Sequence, residues 1–312
     1  MAVTLTTALK NINEDLVQNV SNIAPSATPV YTAIGKTKSA GTYHETLTDT
    51  LAPPNKDNAR EENADALVPN NGLVSRTGNF TQIFGGEVFV SGSVDAANTA
   101  GKGEFSRQLA NKLKEMKTDI EASIVSDNAS VGGATRKSAG MAAIIKTNAV
   151  ENGGSATPGF ANNIYGAPTV PAVGDRVVVT PDMVHELASK MYDSGAELKD
   201  LLVSKDMKTK LSQILSGNAS RWNNAKEKAA YSNVDFYTTD FGEFAIKPHR
   251  SISNHTIIAY DPDFWAVATY RDFKTEALGK SGDGRKVQII TELTLEARNE
   301  AANGKIAGIK TA

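Results

Sequence analysis

One stretch narrows the fold more than any other: "GEFSRQLANKLKEMKTDIEASIVSDN", beginning at Gly103. Its apolar residues Phe105, Leu109, Leu113, Met116, Ile120 and Ile124 step by four, four, three, four and four, so a single stripe runs along one helix face. At 1.5 Å per residue a helix over 104–125 is roughly 33 Å long, about the width of a small domain. Such a stripe has to be buried, and the rest of the chain must supply a layer broad enough to cover it. Asp127-Asn128 and "VGGATRKSAG" end the helix. On its other face Glu115 with Asp119, and Lys117 with Glu121, are spaced as neighbours, which predicts a solvated or intersubunit surface.

Ahead of this spine lie two strand-like runs rich in Thr, Val, Phe and Tyr, "TYHETLTDTL" from Thr42 and "NFTQIFGGEVFVSGSV" from Asn79. They read as a long antiparallel hairpin, and a lone two-stranded hairpin is marginal in water. Between them stands "LAPPNKDNAREENADALVPNN", residues 51–71, whose large aliphatics Leu51, Leu67 and Val68 sit at its ends. Such a segment cannot build its own core, and structureless loops of roughly 20 residues within a domain are usually functional or disordered. Its charges are Lys56 and Arg60 against Asp57, Glu61, Glu62 and Asp65, a net of -2 from two positives and four negatives. These six residues are the candidate intersubunit contacts. Residues 1–41 carry one short amphipathic pattern, Leu9, Ile12, Leu16 and Val20, before Pro25 and Pro29, and read as an extended arm.

Beyond the spine, the Gly- and Pro-rich text from 141 to 179 has only "MAAII" and "RVVVT" to pack. "TPDMVHELASKMYDSG" is a helix with Thr180 as cap, Pro181 in the first turn, Val184, Leu187, Ala188 and Met191 inward, and Gly195 as its end. "DLLVSKDMKTKLSQIL" gives a strand at 201–203, Ser204 as cap and a helix carrying Met207, Leu211, Ile214 and Leu215. After the polar linker 216–228 come "VDFYTTD", "EFAIKPHR", "HTIIAY" and "FWAVATY", then "KVQIITELTLEAR". That last strand alternates, with Val287, Ile289, Thr291, Leu293 and Leu295 on one face and Gln288, Ile290, Glu292, Thr294 and Glu296 on the other. The expected class is α+β.

Known chemistry finds little purchase. "GKGEFS" has Ser106 where a dinucleotide loop needs its third Gly or Ala, "LGKSGDG" has Lys274 where a P-loop needs glycine, and "RKSAG" lacks the first glycine of a nucleophile elbow. His44, His185, His249 and His255 form no metal motif, and with Cys 0 there is no thiolate site. No metal or cofactor is expected. Lys+Arg 33 against Asp+Glu 35 argues against tight nucleic-acid binding by the bulk surface. The start of the chain lacks a basic and then apolar leader, and no apolar run is long enough for a membrane helix.

The order of parts resembles that of tailed-bacteriophage major capsid proteins of the Hong Kong 97-type fold. The chain is most similar to the SU10-like major head proteins in "TYHETLTDTLAPPN", "GNFTQIFGGEVFVSGSVDAANTAGKGEFSRQLANKLKEMKTDIEASIV", "RKSAGMAAIIKTN", "LLVSKDMK" and "YRDFKTEALGKSGDGRKVQIITELTLEARNEAANGKI". The resemblance implies an N-terminal arm at 1–41, an extended loop at 42–95 whose tip lies over a neighbour, and a peripheral domain from 96–142. It also implies an axial domain over 143–259, then a return to the peripheral domain over 260–312 with the final strand from 286 and a C-terminal tail. The implied function is assembly into an icosahedral head shell, in hexamers and pentamers, around packaged DNA touched only weakly. The implied partners are further copies, a portal and, because the arm starts at the first residue, a separate scaffolding protein or none. The implied place is the virion, after assembly in the host cytoplasm. Two other classes are weighed against it: a phage tail or decoration protein, which would form tubes or trimers, and an α/β enzyme, which would need convergent polar residues in a pocket.

Overall fold

The structure is a computed structural model. It describes residues 28–49, 51–52, 54–63, 74–96, 103–218, 236–280 and 282–311. The expected helix around Leu9 to Val20, the tip residues 64–71 with Asp65, Pro53, and the linker beyond 218 lie outside the described residues.

The chain opens with α1 (Pro29–Ala33), β1 (Gly35–Lys38), the strands β2 (Tyr43–Thr48), β3 (Ser75–Phe80) and β4 (Gln82–Ser91), then α2 (Gly92–Ala96). Next come the spine helix α3 (Glu104–Ile124), α4 (Met141–Ile144), β5 (Ala149–Glu151), β6 (Phe160–Ala161), β7 (Ile164–Tyr165) and β8 (Val177–Val178). They are followed by α5 (Pro181–Asp193), β9 (Asp200–Val203), α6 (Lys205–Asn218), β10 (Phe236–Thr239), β11 (Gly242–Pro248) and β12 (Thr256–Tyr260). The chain closes with β13 (Trp265–Ala277), β14 (Gly284–Ala297), β15 (Gly304–Ala307) and β16 (Ile309–Lys310).

Two compact units emerge. The smaller takes residues 85–118 and 274–290. Within it Val88 and Val90 of β4, Phe105 of α3 and Val287 of β14 form a buried cluster with Leu109 against it. The alternation along β4 makes this possible, since Val88 and Val90 turn inward while Glu87 and Phe89 stay exposed. Gly86 lets helix and strand approach: a Cβ there would stand 2.7 Å from Lys112 Cε and 3.2 Å from Met116 Sδ. The stripe of α3 is not uniformly covered, as its periodicity alone predicts. Phe105, Met116, Ile120 and Ile124 are buried, whereas Leu109 and Leu113 are only half-buried.

The larger unit takes 28–84, 119–273 and 291–312. Its centre is a mixed six-stranded sheet of order β10-β11-β9-β12-β15-β5. Strands β9 and β11 run parallel, while β12 is antiparallel to both β9 and β15. Helices α5 and α6 contribute Val184, Leu187, Met191, Met207 and Leu211 to a core shared with Leu201, Phe244, Ile257 and Ile306. Thr180 occupies the cap position of α5 without a side-chain cap bond, and Gly195 past its end has φ +75. Ser204 Oγ does cap α6, accepting from Met207 N–H at 3.3 Å. Residues 304–310 form two further strands. Gly304–Ala307 pairs with β12 and β5, and Ile309 with Val177, because Ile306 and Ile309 are apolar enough to enter that core.

The hairpin forms as β2 and β3, with Tyr43 opposite Phe80 and Thr48 opposite Ser75. The second run is not one strand. It breaks at Thr81, whose N–H donates to Thr42 O at 2.9 Å, so β3 stays with the hairpin and β4 leaves it. Strand β14 alternates up to Ile290, but from Thr291 to Ala297 both faces are buried. The face carrying Glu292, Thr294 and Glu296, which alternation alone puts toward solvent, is covered.

Candidate functional site

The described part of the hairpin tip is all surface. Every described residue from 51 to 63 is exposed, Lys56, Asp57, Arg60, Glu61 and Glu62 among them. Local turns shape it: Asp57 N–H donates to Asn55 Oδ1 at 3.0 Å, and Asn63 has φ +64. The stem adds exposed aliphatics, Leu47 at 63% and Val74 at 55%. A two-stranded ribbon with so little apolar cover needs fixing at its base.

That base is tied by two buried carboxylates on β14. Glu292 accepts from Thr81 Oγ1 at 2.6 Å, Arg136 Nη2 at 2.6 Å and Arg271 Nε at 2.8 Å. Burial alone would raise its pKa, but these hydrogen bonds outweigh it and hold the carboxyl below its ordinary value. Glu296 accepts from His44 Nε2 at 2.9 Å, Thr37 Oγ1 at 2.6 Å and Arg298 Nε at 3.3 Å. With His44 as the largest cause, its pKa is drawn down to about 2. Thr81 and His44 stand at the roots of the two hairpin strands, and Thr37 lies on β1.

Between these anchors Asn79 locks β3 in place. Its amide nitrogen donates to Leu295 O at 3.0 Å and Ser138 Oγ at 3.1 Å, and its oxygen accepts from Ser130 Oγ and Ala139 N–H, both at 2.9 Å. The "RKSAG" stretch is thus a structural clasp. Ser138 is 4% exposed and spent on hydrogen bonds, and Arg136 serves Glu292.

A third carboxylate overturns a sequence expectation. Glu121, expected on a solvated or intersubunit face of the spine, is 2% exposed and lies 2.8 Å from His249 Nε2. The i,i+4 spacing with Lys117 was a true neighbour relation on the helix, but the last turns of α3 are enclosed by other segments. On the half that does face outward, Lys112 pairs with Glu115 at 3.0 Å. Each of the four histidines stands within 4.0 Å of a carboxylate: His44 with Glu296, His185 with Asp240, His249 with Glu121 and His255 with Asp127. Among the described residues no group of three His, Asp or Glu is placed to hold a metal ion, and no helix is long and apolar enough to cross a membrane. These contacts fix where extended segments join the larger unit.

Comparison with known proteins agrees. A family model described as SU10 major capsid protein matches residues 2–310. No curated protein matches the chain. Among solved structures, the capsid of a native GTA particle is similar at TM-score 0.66 and 14% identity, over 97% of this chain and 97% of that one. The capsid of cyanophage A-1(L) gives TM-score 0.65 and 12% identity, over 99% of each chain. The holo-SrpI encapsulin complex from Synechococcus elongatus PCC 7942 gives 0.61 and 9%, over 100% of this chain and 98% of that one. At such identities the likeness is one of fold, and the fold is the Hong Kong 97-type capsid fold. With the family model spanning nearly its whole length, the chain belongs to the SU10 major capsid protein family and is a subunit of a bacteriophage capsid shell.

Proposed function

We propose that the chain works by self-assembly into a closed icosahedral head, as hexamers and pentamers, with the hairpin as the limb that reaches a neighbouring copy. The observation that carries this is the contrast within the hairpin. Its root is held by buried, fully engaged carboxylates, and every described residue from 51 to 63 is exposed. A segment held so firmly at one end and bare at the other is built to be covered by something else. Lys56, Asp57, Arg60, Glu61, Glu62 and Asp65 are the proposed contacts, meeting a basic patch on the neighbour. Each exposed pair is worth about 0 to 1 kcal/mol, but a shell repeats it at every subunit.

In this reading 1–41 is the arm, 42–95 the extended loop, 96–142 with the return from 260 the peripheral domain, and 143–259 the axial domain. The strand at 304–307 goes with the axial sheet to which it hydrogen-bonds. Further partners are a portal, a separate scaffolding protein where one is used, and DNA held loosely, in keeping with Lys+Arg 33 against Asp+Glu 35. Assembly takes place in the host cytoplasm. The reading assigns the chain no catalytic step and no cofactor. Negative-stain images of the purified chain test it: closed shells support it, and tubes or trimers would reassign the chain to another structural role.

A further inference from the structure

Helix α1 has little reason of its own to form. Five residues are far too few for a helix stable alone, Thr28 gives no side-chain cap, and its first turn holds no acidic residue. Its open N–H groups are met from elsewhere. Val30 N–H donates to Glu121 Oε1 at 2.8 Å and Tyr31 N–H to Glu121 Oε2 at 2.7 Å. The third donor is His249 Nε2, and the two side chains are 3% and 2% exposed.

The direction of the His249–Glu121 bond follows from its neighbour. Ser251 N–H donates to His249 Nδ1 at 3.2 Å, so Nδ1 is an acceptor without a proton. Nε2–H is then the ring's donor, and it faces a carboxylate oxygen of Glu121. His249 is held in turn by its own N–H, which donates to Val203 O at 2.7 Å where β9 and β11 run parallel. One carboxylate on the last turns of α3 therefore joins three segments: α1, α3 and the β9–β11 pair.

We propose that Glu121 and His249 are positioning residues for α1, and that their joint fixes the axis of that helix, the described part of the N-terminal arm. The proposal rests on the assembly reading for what the arm does, not for the joint itself. Stability is a poor explanation for the joint, because desolvation offsets much of the attraction in a buried charged group. Burial of Val30, at 0% exposed, and Ile34, at 3%, already anchors α1. Apolar plugs hold a helix down without fixing its axis. Two N–H groups on the two oxygens of one carboxylate do fix it. Lys36 secures the other end, its Nζ donating to Tyr31 O and lying 3.4 Å from the Tyr31 ring centroid.

The test is site-resolved hydrogen exchange on the full chain in four forms: parent, Glu121→Gln, His249→Leu and His249→Gln, paired with particle images of each. In Glu121→Gln and His249→Leu, exchange at Val30 and Tyr31 should rise by about tenfold or more, the scale of losing bonds to a charged acceptor. Exchange in β9 and β12 should stay within about twofold of the parent. His249→Gln, whose amide still donates, should behave like the parent. The two released forms should give fewer or misshapen shells. Unchanged exchange at Val30 and Tyr31, or an equal rise across the chain, would overturn the joint. Normal shells from a form with released α1 would overturn its positioning role. Absence of shells from the parent chain bears on the assembly reading alone, since the exchange contrast decides the joint in either case.

Discussion

His44 Nε2 lies 2.9 Å from Glu296 Oε2, so the first hairpin strand is bonded to β14, 252 positions away in sequence. The contact makes the hairpin root sensitive to acid. The Glu296 carboxyl falls from an ordinary 4.5 to about 2 in the folded chain. A depressed carboxylate contributes stability that is fully present above its unfolded value and lost as pH falls through the folded one. Melting temperature should therefore drop between roughly pH 4.5 and pH 2, and Glu296→Gln should flatten that part of the profile. A variant profile parallel to the parent's would remove Glu296 from the acid response.

Lys305 gives the opposite limb. It is 1% exposed, its Nζ donates to Ala142 O and Thr157 Oγ1, and burial lowers its pKa to about 8 from 10.5. Between those values the unfolded chain binds a proton that the folded chain does not, so stability should rise with pH across the interval. Lys305→Met should reduce the rise, as seen in denaturant midpoints measured from about pH 8 to 10, leaving the part due to Lys36, whose pKa burial also lowers to about 8. An undiminished rise would show that Lys305 does not contribute to it.

The spine helix should not respond evenly to truncation. Ile120, at 0% exposed, should cost about 2 to 5 kcal/mol on change to Ala. Half-buried Leu113 should cost about 1 kcal/mol, since less apolar area leaves water there on folding. Equal losses in chemical denaturation would mean that Leu113 is covered as fully as Ile120.

Gly140 tests the clasp beside the hairpin. A Cβ on it would stand 2.3 Å from Ser126 O and 2.8 Å from Ser123 O, both backbone atoms at the end of α3. Neither can yield cheaply. Gly140→Ala should destabilise the chain by about 2 kcal/mol or more, and a melting temperature equal to the parent's would show that the helix end gives way.

Much of this was legible in the sequence. The period of the spine stripe and the Pro181 to Gly195 helix follow from local chemistry. Of the hairpin only the first strand does, since its partner, Ser75–Phe80, lies mostly ahead of the run from Asn79. The buried carboxylates do not. Periodicity says which face of α3 or β14 is apolar, not whether the other face is covered. Glu121, Glu292 and Glu296 are polar residues enclosed by segments far away in sequence, at His249, Arg136 and His44. The break at Thr81 was hidden for the same reason, because a β-rich run gives no sign of where its partner changes. The pairing of Gly304–Ala307 with β5 and β12 is likewise a long-range match that four residues cannot announce.

The most direct measurement replaces residues 53–69 by a short Gly-Ser turn and compares the variant with the parent chain. The two should match by circular dichroism and thermal melting, because the described part of the tip is exposed and loop length changes stability only slowly. Electron microscopy under the same conditions should show closed shells from the parent and none from the variant. Normal shells from a normally folded variant would contradict the account, since the hairpin tip would then be a passive insertion and not the limb that joins one subunit to the next.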